Sequence, residues 1–481
     1  MTSAVSGGHV AAIDLGATSG RVVLAHVSGS ELRAETVARF PNTPVRTPDG
    51  LHWDVLGLYG AAVRGLGDAF RQAPGIASIG IDSWAVDYGL LRNGVLLGNP
   101  YHYRDERTAR GVLSVHSRMR HPDLYRRNGL QFLPFNTLYQ FAAERRDVLD
   151  LADTALLIPD LVAYWLTGQA RTELTNASTT GLLRVDDQRL DDDLFDRLGL
   201  RRSLLTPLIA PGESYGVLLE EVRAEIGAPG AVPVTAIGSH DTASAVVAVP
   251  MADAAASAFI SCGTWGLVGL ELPSPVVTDA AREAGFTNEG GVDSRVRFLH
   301  NVMGLWILSE TVRGWEAKEG HAIDLPTLLD SAAEVPAASV PVFDVDDPRF
   351  LRPGDMPGRI DAWCDEHGVR PPRTRAEYAR AIVESLADAF ARNVHTAAQL
   401  AGVDVATIHI VGGGALNTLL CQRTADRSGL VVEAGPVEAT ALGNVLVQAR
   451  AAGFAAGSLE ALRDLVRRTH APLRYTPTAT S

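Results

Sequence analysis

The chain of 481 residues contains only three cysteines, Cys262, Cys364 and Cys421, and they are far apart. An odd number of cysteines at this spacing matches neither a disulfide framework nor a zinc site, and it favours a reducing cytoplasm. No run of about 20 apolar residues is free of charge, which predicts that no segment spans a membrane. The first ten residues, MTSAVSGGHV, lack the basic start and the apolar core of a secretory signal. These absences together predict a cytoplasmic protein without a membrane partner.

Basic residues are fewer than acidic ones, since 43 lysines and arginines stand against 56 acids and give a net charge of −13. The basic residues are also dispersed along the chain, so we expect no nucleic-acid partner. An anionic ligand would have to be held mainly by backbone amides, helix ends or a metal. The hydrophobic fraction of 46% is typical of a globular protein, and the length predicts about two or three domains.

Several well-known catalytic signatures are also missing. The chain has no GxxxxGK[ST] loop, no GxGxxG after an N-terminal strand and no protein-kinase motif set. Neither a nucleophile elbow nor a His/Cys metal cluster stands out. A site that handles phosphate in this protein must therefore be of another design.

Two glycine turns of the same outline are present instead. They are AAIDLGATSGRVVL at residues 11–24 and FISCGTWGLVGLEL at residues 259–272, and the apolar β-branched residues around each turn predict a β-hairpin. One such turn is usually no more than a hairpin, but two copies favour a grip on a polyphosphate by backbone amides and hydroxyls. Asp14 precedes the first turn, where it could hold the magnesium that accompanies ATP, whereas Ser261 stands at that place in the second.

The two hairpins divide the chain into two predicted domains, residues 1–245 and 246–481. Strands alternate with helices in both, including a long predicted helix at residues 370–400 that is followed by the strand TIHIV. Because the opening hairpins are antiparallel, we predict α/β domains with mixed sheets.

The stretch GSHDTAS, residues 238–244, follows a predicted strand and begins a predicted helix. Asp241 in this stretch has two interpretations. It is either a helix cap or a general base that takes the proton of a sugar hydroxyl attacking the γ-phosphate of ATP. In the second case His240 and Thr242 would hold neighbouring hydroxyls.

Three further stretches carry candidate ligand contacts, each with a plain structural alternative. The triple glycine of IVGGGALNTLL is either a tight strand–helix turn or a flat surface for a nucleotide. Trp84 in IDSWAVD, beside Asp82 and Asp87, belongs either to a sugar-binding face or to the core. Asn301 in NVMGLW is by default a cap of the next helix.

Taken together, these stretches resemble the FGGY family of carbohydrate kinases. The resemblance rests on motifs that occur in the family's order from about residue 10 to residue 450: DLGATSGRV, SIGIDSWAVDYGLL, YRDERT, QFLPFNTLYQ, LTNASTTGLL, SHDTASAV, SCGTWGLVGLE, TNEGG, NVMGLW, HIVGGGALNTLL and AGPVEATALGN. It implies an α/β fold of two actin-like (ribonuclease H-like) ATPase domains, with mixed sheets, flanking a central cleft. Within the family, the chain most resembles the branch that phosphorylates the 1-hydroxyl of L-rhamnulose. This likeness rests on the motifs QFLPFNTLYQ, SHDTASAV and TNEGG.

The resemblance also implies roles for individual residues. Asp241 would be the proton acceptor, and the sugar would be contacted by Ala85, His240, Asp241, Thr242 and Asn301. ATP would be contacted by Ala17, Thr18, Ser19, Gly20, Arg21, Thr264, Ser309 and Gly413. Two of these residues depart from the family's pattern, because Ala85 stands where glycine is usual and Ser309 where a longer amide side chain is common.

We therefore expect an ATP- and Mg²⁺-dependent ketose kinase whose partners are the sugar and ATP, as a monomer or a homodimer. Two enzymes remain as alternatives from the residues alone: a kinase for another ketose, such as L-fuculose or D-xylulose, and an actin-like ATPase with a conformational or filament-forming role. A catalytically silent sugar-binding regulator is a third alternative, and the intact Asp241 argues against it.

Overall fold

The structure is a computed structural model that describes residues 7–478. The predicted lack of a secretory signal falls partly on residues 1–6, which lie outside the described residues. Packing divides the chain into two compact units. The first unit comprises Met1–Ala252, Leu272–Phe298 and Ala439–Thr469, and the second comprises Asp253–Glu271, Leu299–Glu438 and His470–Ser481. The expected single boundary at residue 245 stays a prediction.

The described part of the chain up to residue 252 alternates strands and helices. The strands are β1 (Gly8–Leu15), β2 (Ser19–Val27), β3 (Leu32–Pro41), β4 (Val45–Thr47), β5 (Gly50–His52), β6 (Ile76–Ser83), β7 (Tyr88–Arg92), β8 (Val95–Leu96), β9 (Thr154–Leu157), β10 (Thr172–Glu173), β11 (Leu208–Ile209), β12 (Ser214–Val217) and β13 (Pro233–Thr235). The helices are α1 (Val55–Gln72), α2 (Thr108–His116), α3 (His121–Asn128), α4 (Thr137–Ala143), α5 (Arg146–Leu151), α6 (Ile158–Thr167), α7 (Leu174–Ala177), α8 (Asp192–Leu198), α9 (Glu220–Ile226) and α10 (Asp241–Val247).

The remainder of the chain has the same alternation. Its strands are β14 (Ser257–Cys262), β15 (Gly266–Leu272), β16 (Thr287–Gly290), β17 (Val296–Val302), β18 (Thr407–Val411), β19 (Val431–Ala434) and β20 (Leu473–Tyr475). Its helices are α11 (Asp279–Glu283), α12 (Trp306–Glu319), α13 (Leu325–Ala333), α14 (Met356–Glu366), α15 (Arg375–Ala401), α16 (Thr418–Ser428), α17 (Ala439–Ala451) and α18 (Leu459–Thr469).

The main sheet of the first unit has the strand order β12-β13-β6-β1-β2-β3. Strands β1 and β2 form the first predicted hairpin and pair antiparallel, with Asp14 opposite Arg21. Strand β6 pairs with β1 in parallel, and β13 pairs with β6 in parallel. Apolar residues such as Val10, Ile13 and Val22 are fully buried in this sheet, which is the environment that favours β-branched side chains.

The sheet of the second unit contains the order β15-β14-β18-β19-β20. Strands β14 and β15 form the second predicted hairpin and pair antiparallel, and β18 joins β14 in parallel. Each unit therefore starts its sheet with a hairpin and adds a parallel strand to the first strand of that hairpin. The predicted α/β class with mixed sheets is confirmed in both units.

Helix α17 belongs to the first unit although it comes from far along the chain. Helix α17 packs on β1 and β6 and lies close against α10. The approach of α10 requires glycine at 443, because a Cβ there would lie 1.7 Å from the carbonyl oxygen of Ser244. No helix within residues 7–478 is long and apolar enough to cross a membrane.

Candidate active site

The loop between β13 and α10 places Asp241 at the end of the first unit's sheet. Ser83, the last residue of β6, donates its backbone N–H to the carbonyl of Ser239 at 2.9 Å. Helix α10 begins at Asp241 with His240 in the cap position, so the interpretation of Asp241 as a cap is wrong. The Asp241 side chain is 33% exposed, and its Oδ1 lies 3.4 Å from His240 Nε2 and accepts from Thr242 Oγ1 at 3.1 Å. Burial raises the pKa of Asp241, and His240 opposes that rise.

A fully buried carboxylate, Glu173, holds this loop in place. Its Oε2 accepts from the backbone N–H of Ser239 at 3.1 Å and from the Ser239 hydroxyl at 2.7 Å. The same carboxylate accepts from Thr175 and Asn176 at the start of α7. Because a buried carboxylate needs such donors, Glu173 ties α7 to the residue two positions before Asp241. Glu173 is not among the residues predicted from the sequence, where its only signal is an acid directly before LTNAST.

Two more carboxylates lie side by side where β1 and β6 are paired. Asp14 and Asp82 are direct neighbours in the parallel register. Asp14 Oδ2 accepts from Arg21 Nε at 2.8 Å and from Arg21 Nη2 at 2.6 Å. Asp82 is fully buried and accepts from Asn444 Nδ2 at 2.6 Å. Burial raises the pKa of Asp82 well above its ordinary value, and the Asp14 carboxylate adds to the rise.

The turn of the first hairpin carries most of the residues predicted to contact the phosphates of ATP. Gly16 N–H donates to the Ser19 carbonyl at 2.9 Å, and Asn42 Nδ2 donates to the Gly16 carbonyl at 2.8 Å. These bonds hold the turn in one conformation. Ala17 and Ser19 are half-buried and Thr18 is exposed.

The glycines of the two predicted ATP motifs differ in what surrounds them. A Cβ at Gly20 would lie 2.2 Å from the ring of Phe40, so packing against Phe40 favours glycine there. Within the triple glycine, a Cβ at Gly414 would lie 2.3 Å from Cys262 Sγ, whereas no atom lies within 4 Å of a Cβ built at Gly413. Gly413 therefore borders open space, as a glycine that contacts a planar ligand must.

The turn of the second hairpin is braced by the segment that begins α12. Leu305 N–H donates to the Gly263 carbonyl at 3.0 Å, and Trp306 N–H donates to the Thr264 carbonyl at 3.1 Å. Thr264 itself is half-buried in this turn. Its backbone is therefore fixed within the second unit, while its contact with ATP stays a prediction.

The other predicted contacts are distributed over both units. Ala85 is half-buried in the loop between β6 and β7 of the first unit. Ser309 is exposed on α12 of the second unit. Asn301 lies in β17, and because α12 begins only at Trp306, the interpretation of Asn301 as a helix cap is wrong. The sugar and ATP contacts of these residues stay predictions.

Asp87 is the centre of a buried cluster beside Ala85. Its Oδ2 accepts from Trp53 Nε1 at 2.6 Å, from Trp84 Nε1 at 3.0 Å and from the backbone N–H of Tyr103 at 3.1 Å. Its Oδ1 accepts from Gln140 Nε2 at 2.7 Å. Burial raises the pKa of Asp87 to about 6. The Trp84 ring is buried and lies 4.0 Å from that of Trp53, which agrees with the core interpretation of Trp84.

On the other side of His240 lies a buried ion pair that the motifs did not reveal. Arg297 Nη2 lies 3.1 Å from His240 Nδ1, and Arg297 Nη1 lies 3.1 Å from Glu289 Oε2. Glu289 belongs to the TNEGG motif, but a single arginine in the following strand gives no signal of its own.

The residues around Asp14 are compatible with Mg²⁺. Within residues 7–478 no group of three or more His, Cys, Asp or Glu side chains is placed to hold a metal. Mg²⁺ at a phosphate-transfer site is usually bound by one or two carboxylates together with water and phosphate oxygens. A single carboxylate such as Asp14, next to the turn predicted to contact phosphate, therefore fits this ion.

Comparisons with known proteins identify the family. Residues 9–248 match the N-terminal domain, and residues 258–452 the C-terminal domain, of the FGGY family of carbohydrate kinases. A rhamnulokinase of Pectobacterium atrosepticum is 41% identical over 98% of this chain and 94% of the relative. A rhamnulokinase of Bacteroides thetaiotaomicron is 39% identical over 97% of this chain and 95% of the relative.

Solved structures agree on the fold. The xylulose kinase of Lactobacillus acidophilus superposes with a TM-score of 0.77 at 18% identity, over 98% of this chain and 94% of that one. The glycerol kinase of Plasmodium falciparum, solved with ADP, superposes with a TM-score of 0.75 at 16% identity, over 98% of this chain and 94% of that one. With matched domains over most of its length and relatives of about 40% identity, the chain belongs to the FGGY family of carbohydrate kinases.

Proposed function

We propose that this carbohydrate kinase transfers the γ-phosphoryl group of ATP to the 1-hydroxyl of L-rhamnulose, with Asp241 as the general base. The substrate is supported by relatives named rhamnulokinase that match nearly the whole chain at about 40% identity. One observation carries the assignment of the base: Asp241 is a partly exposed carboxylate at the start of α10, directly after a loop that the buried Glu173 holds through Ser239.

The reaction follows from the chemistry of this carboxylate. Asp241 accepts the proton of the sugar hydroxyl while the hydroxyl oxygen forms a bond to the γ-phosphorus, and the bond from that phosphorus to the β-phosphate oxygen breaks, releasing ADP. A pKa above the ordinary value for aspartate makes Asp241 a stronger proton acceptor, which suits this role. Because the side chain is partly exposed, the proton can then pass to solvent.

The ligands are assigned as follows in the proposal. Asp14 would hold Mg²⁺, which when bound neutralises charge on the phosphates of ATP. The sugar would contact Ala85, His240, Thr242 and Asn301. ATP would contact Ala17, Thr18, Ser19, Gly20, Arg21, Thr264, Ser309 and Gly413, and the open space beside Gly413 supports its place in this set.

The proposed location is the cytoplasm. Cys262, Cys364 and Cys421 are all free and buried, which is the state expected of thiols in a reducing compartment.

The role of Asp241 is tested with Asp241→Asn. The variant keeps the shape of the side chain but cannot accept the proton, so kcat is expected to fall by about 10²- to 10⁴-fold while the Kd values for ATP and sugar change little. A matched control is Asp196→Asn, which changes an exposed aspartate on α8 in the same way and is expected to leave kcat unaltered. A near-normal kcat in Asp241→Asn would remove Asp241 from this role.

The substrate is tested by following ADP release with Mg·ATP and a panel of ketoses. Efficient turnover is expected with L-rhamnulose and much weaker turnover with L-fuculose or D-xylulose. Equal or better turnover with another ketose would reassign the substrate, and rapid ADP release without any sugar would favour the actin-like ATPase alternative.

A further inference from the structure

We propose that the buried ion pair of Glu289 and Arg297 fixes the tautomer of His240, so that Asp241 and not the adjacent imidazole takes the proton of the sugar hydroxyl. The inference rests on the proposed function, in which a hydroxyl is deprotonated beside these two side chains. It assigns Arg297 and Glu289 as positioning residues that act through His240.

Three nitrogens of Arg297 face acceptors in this cluster. This side chain is fully buried, and its Nε donates to the Gly290 carbonyl at 2.9 Å. Its Nη1 lies 3.1 Å from Glu289 Oε2, and its Nη2 lies 3.1 Å from His240 Nδ1. A guanidinium group has donors only and stays charged, so His240 Nδ1 must be the acceptor in this contact.

Glu289 Oε2 also lies near His240 Nδ1, at the longer distance of 3.4 Å. Burial by itself raises the pKa of Glu289, but the charge of Arg297, followed by the interactions with His240, outweighs it and the net shift is downward. Glu289 is therefore an anion whose shorter contact is with Arg297. The carboxylate holds the guanidinium in place, and the guanidinium occupies the Nδ1 lone pair.

These contacts fix the tautomer of His240. With Nδ1 accepting from Arg297, a neutral imidazole carries its one proton on Nε2. Nε2 is the nitrogen that faces Asp241, 3.4 Å from its Oδ1. Neither ring nitrogen then has a free lone pair with which to accept the proton of a hydroxyl.

The consequence is a division of roles between two adjacent residues. Histidine is the commonest general base in enzymes, and an imidazole next to the reacting hydroxyl would compete with the aspartate. The Arg297 contact removes that competition, and the Nε2–H group is left as a donor to Asp241 or to a sugar oxygen. The hydroxyl proton therefore goes to the Asp241 carboxylate alone.

The tautomer is measured directly by NMR on the full chain labelled with ¹⁵N-histidine, with His240→Gln to assign the His240 signals. Long-range ¹H–¹⁵N spectra distinguish a protonated from an unprotonated ring nitrogen. We expect His240 to show a protonated Nε2 and an unprotonated Nδ1 near neutral pH. A proton on Nδ1, alone or together with one on Nε2, would overturn the inference.

The role of the ion pair is tested with Arg297→Met. Nδ1 loses its donor and faces the Glu289 carboxylate, so a proton is expected to move to Nδ1. Partners that orient metal-bound histidines typically matter by about 10- to 100-fold; by analogy, a fall of kcat in this range is expected, with little change in the Kd for ATP. Arg297→Lys keeps a cationic donor and is expected to restore the Nε2–H tautomer and part of the activity.

The matched control is Arg295→Met, which removes an arginine two residues away whose partner is Glu460 on α18. It is expected to leave both the His240 spectrum and kcat unaltered. An unchanged tautomer in Arg297→Met would contradict the inference, and if that variant does not fold, the wild-type spectrum alone decides. The outcome is separate from that of Asp241→Asn, because the tautomer is read without turnover.

Discussion

Single positions explain why the two similar hairpins differ in charge. In the first unit Asp14 on β1 is the direct neighbour of Asp82 on β6. In the second unit the corresponding neighbours are Ser261 on β14 and Val411 on β18. The Asp14 carboxylate adds to the rise in the pKa of the buried Asp82, and this pair is compensated in the first unit by hydrogen bonds from Arg21 to Asp14 and from Asn444 to Asp82. The second unit has no such pair and therefore needs no such compensation.

The first prediction at this scale concerns Asp14. In Asp14→Ala we expect a higher Mg²⁺ concentration for half-maximal activity, because the proposed ligand is removed. A matched control is Asp186→Ala, which breaks a similar ion pair with Arg184 (2.6 Å) at the exposed surface. Activity titrations with Mg²⁺ measure the effect. Identical titrations for wild type and Asp14→Ala would count against the metal assignment.

The second prediction at this scale concerns pH and Asp87. Its pKa is raised to about 6 in the fold, so between about pH 4 and pH 6 the folded state binds more protons than the unfolded state. This residue's contribution to stability is therefore present below pH 4 and is lost as the pH rises through 6, by up to about 3 kcal/mol.

The measurement is the free energy of unfolding in urea at pH 4 to 7 for wild type and Asp87→Asn. The fall in stability over this range is expected to be smaller in the variant, since its side chain does not titrate. Parallel curves for the two proteins would show that Asp87 is not the group responsible.

At the scale of elements, α17 packs closely against α10, the helix that begins at Asp241. The backbones approach so closely at Gly443 that a Cβ would overlap the Ser244 carbonyl, and backbone cannot move aside as a side chain can. We expect Gly443→Ala to lower the free energy of unfolding by about 1–3 kcal/mol or more, as overpacking does.

The matched control for this contact is Gly60→Ala in α1. The nearest atom to a Cβ at Gly60 is the flexible end of Arg64, at 3.4 Å, so this change is expected to stabilise by up to about 1 kcal/mol through helix propensity. Urea unfolding of the two variants measures both effects. A stabilised Gly443→Ala variant would contradict the close approach of these helices.

At the scale of the whole molecule, the first unit is built from three chain segments. Helix α17 packs on β1 and β6, where Asn444 donates to the buried Asp82 and Gln448 donates to the Ala11 carbonyl at 3.0 Å. The fully buried Arg463 of α18 donates to the Val246 carbonyl of α10 at 3.0 Å. A single cut of the chain near residue 250 therefore removes helices that cover the first unit's sheet.

This organisation predicts that a fragment of residues 1–252 does not fold independently. It exposes apolar sheet surface and leaves the Asp82 carboxylate without its Asn444 partner. Near-UV circular dichroism is expected to show no fixed tertiary packing, whereas the full chain shows it. A fragment with a native-like spectrum and a cooperative unfolding transition would contradict the prediction.

The repeated pattern along the chain was sufficient to predict the class of fold. Both hairpins are where the alternation of apolar residues placed them, and the helix expected at residues 370–400 is α15, Arg375–Ala401. Local pattern was insufficient for Asn301, where a polar residue before an apolar helix indicated a cap but belongs to a strand. A cap depends on where the helix starts, and packing of the first turn decides that.

The amino-acid sequence by itself determined the hairpins, the α/β class, the family and the short motif that contains Asp241, because each depends on residues close together in the chain. Only the tertiary structure brought Glu173, Asn444 and the Glu289–Arg297 pair to the residues that they hold. These contacts join residues up to 362 positions apart, and no local spacing encodes a partner at that distance. What the fold decided is which charges are buried together, and therefore which group is left to accept a proton.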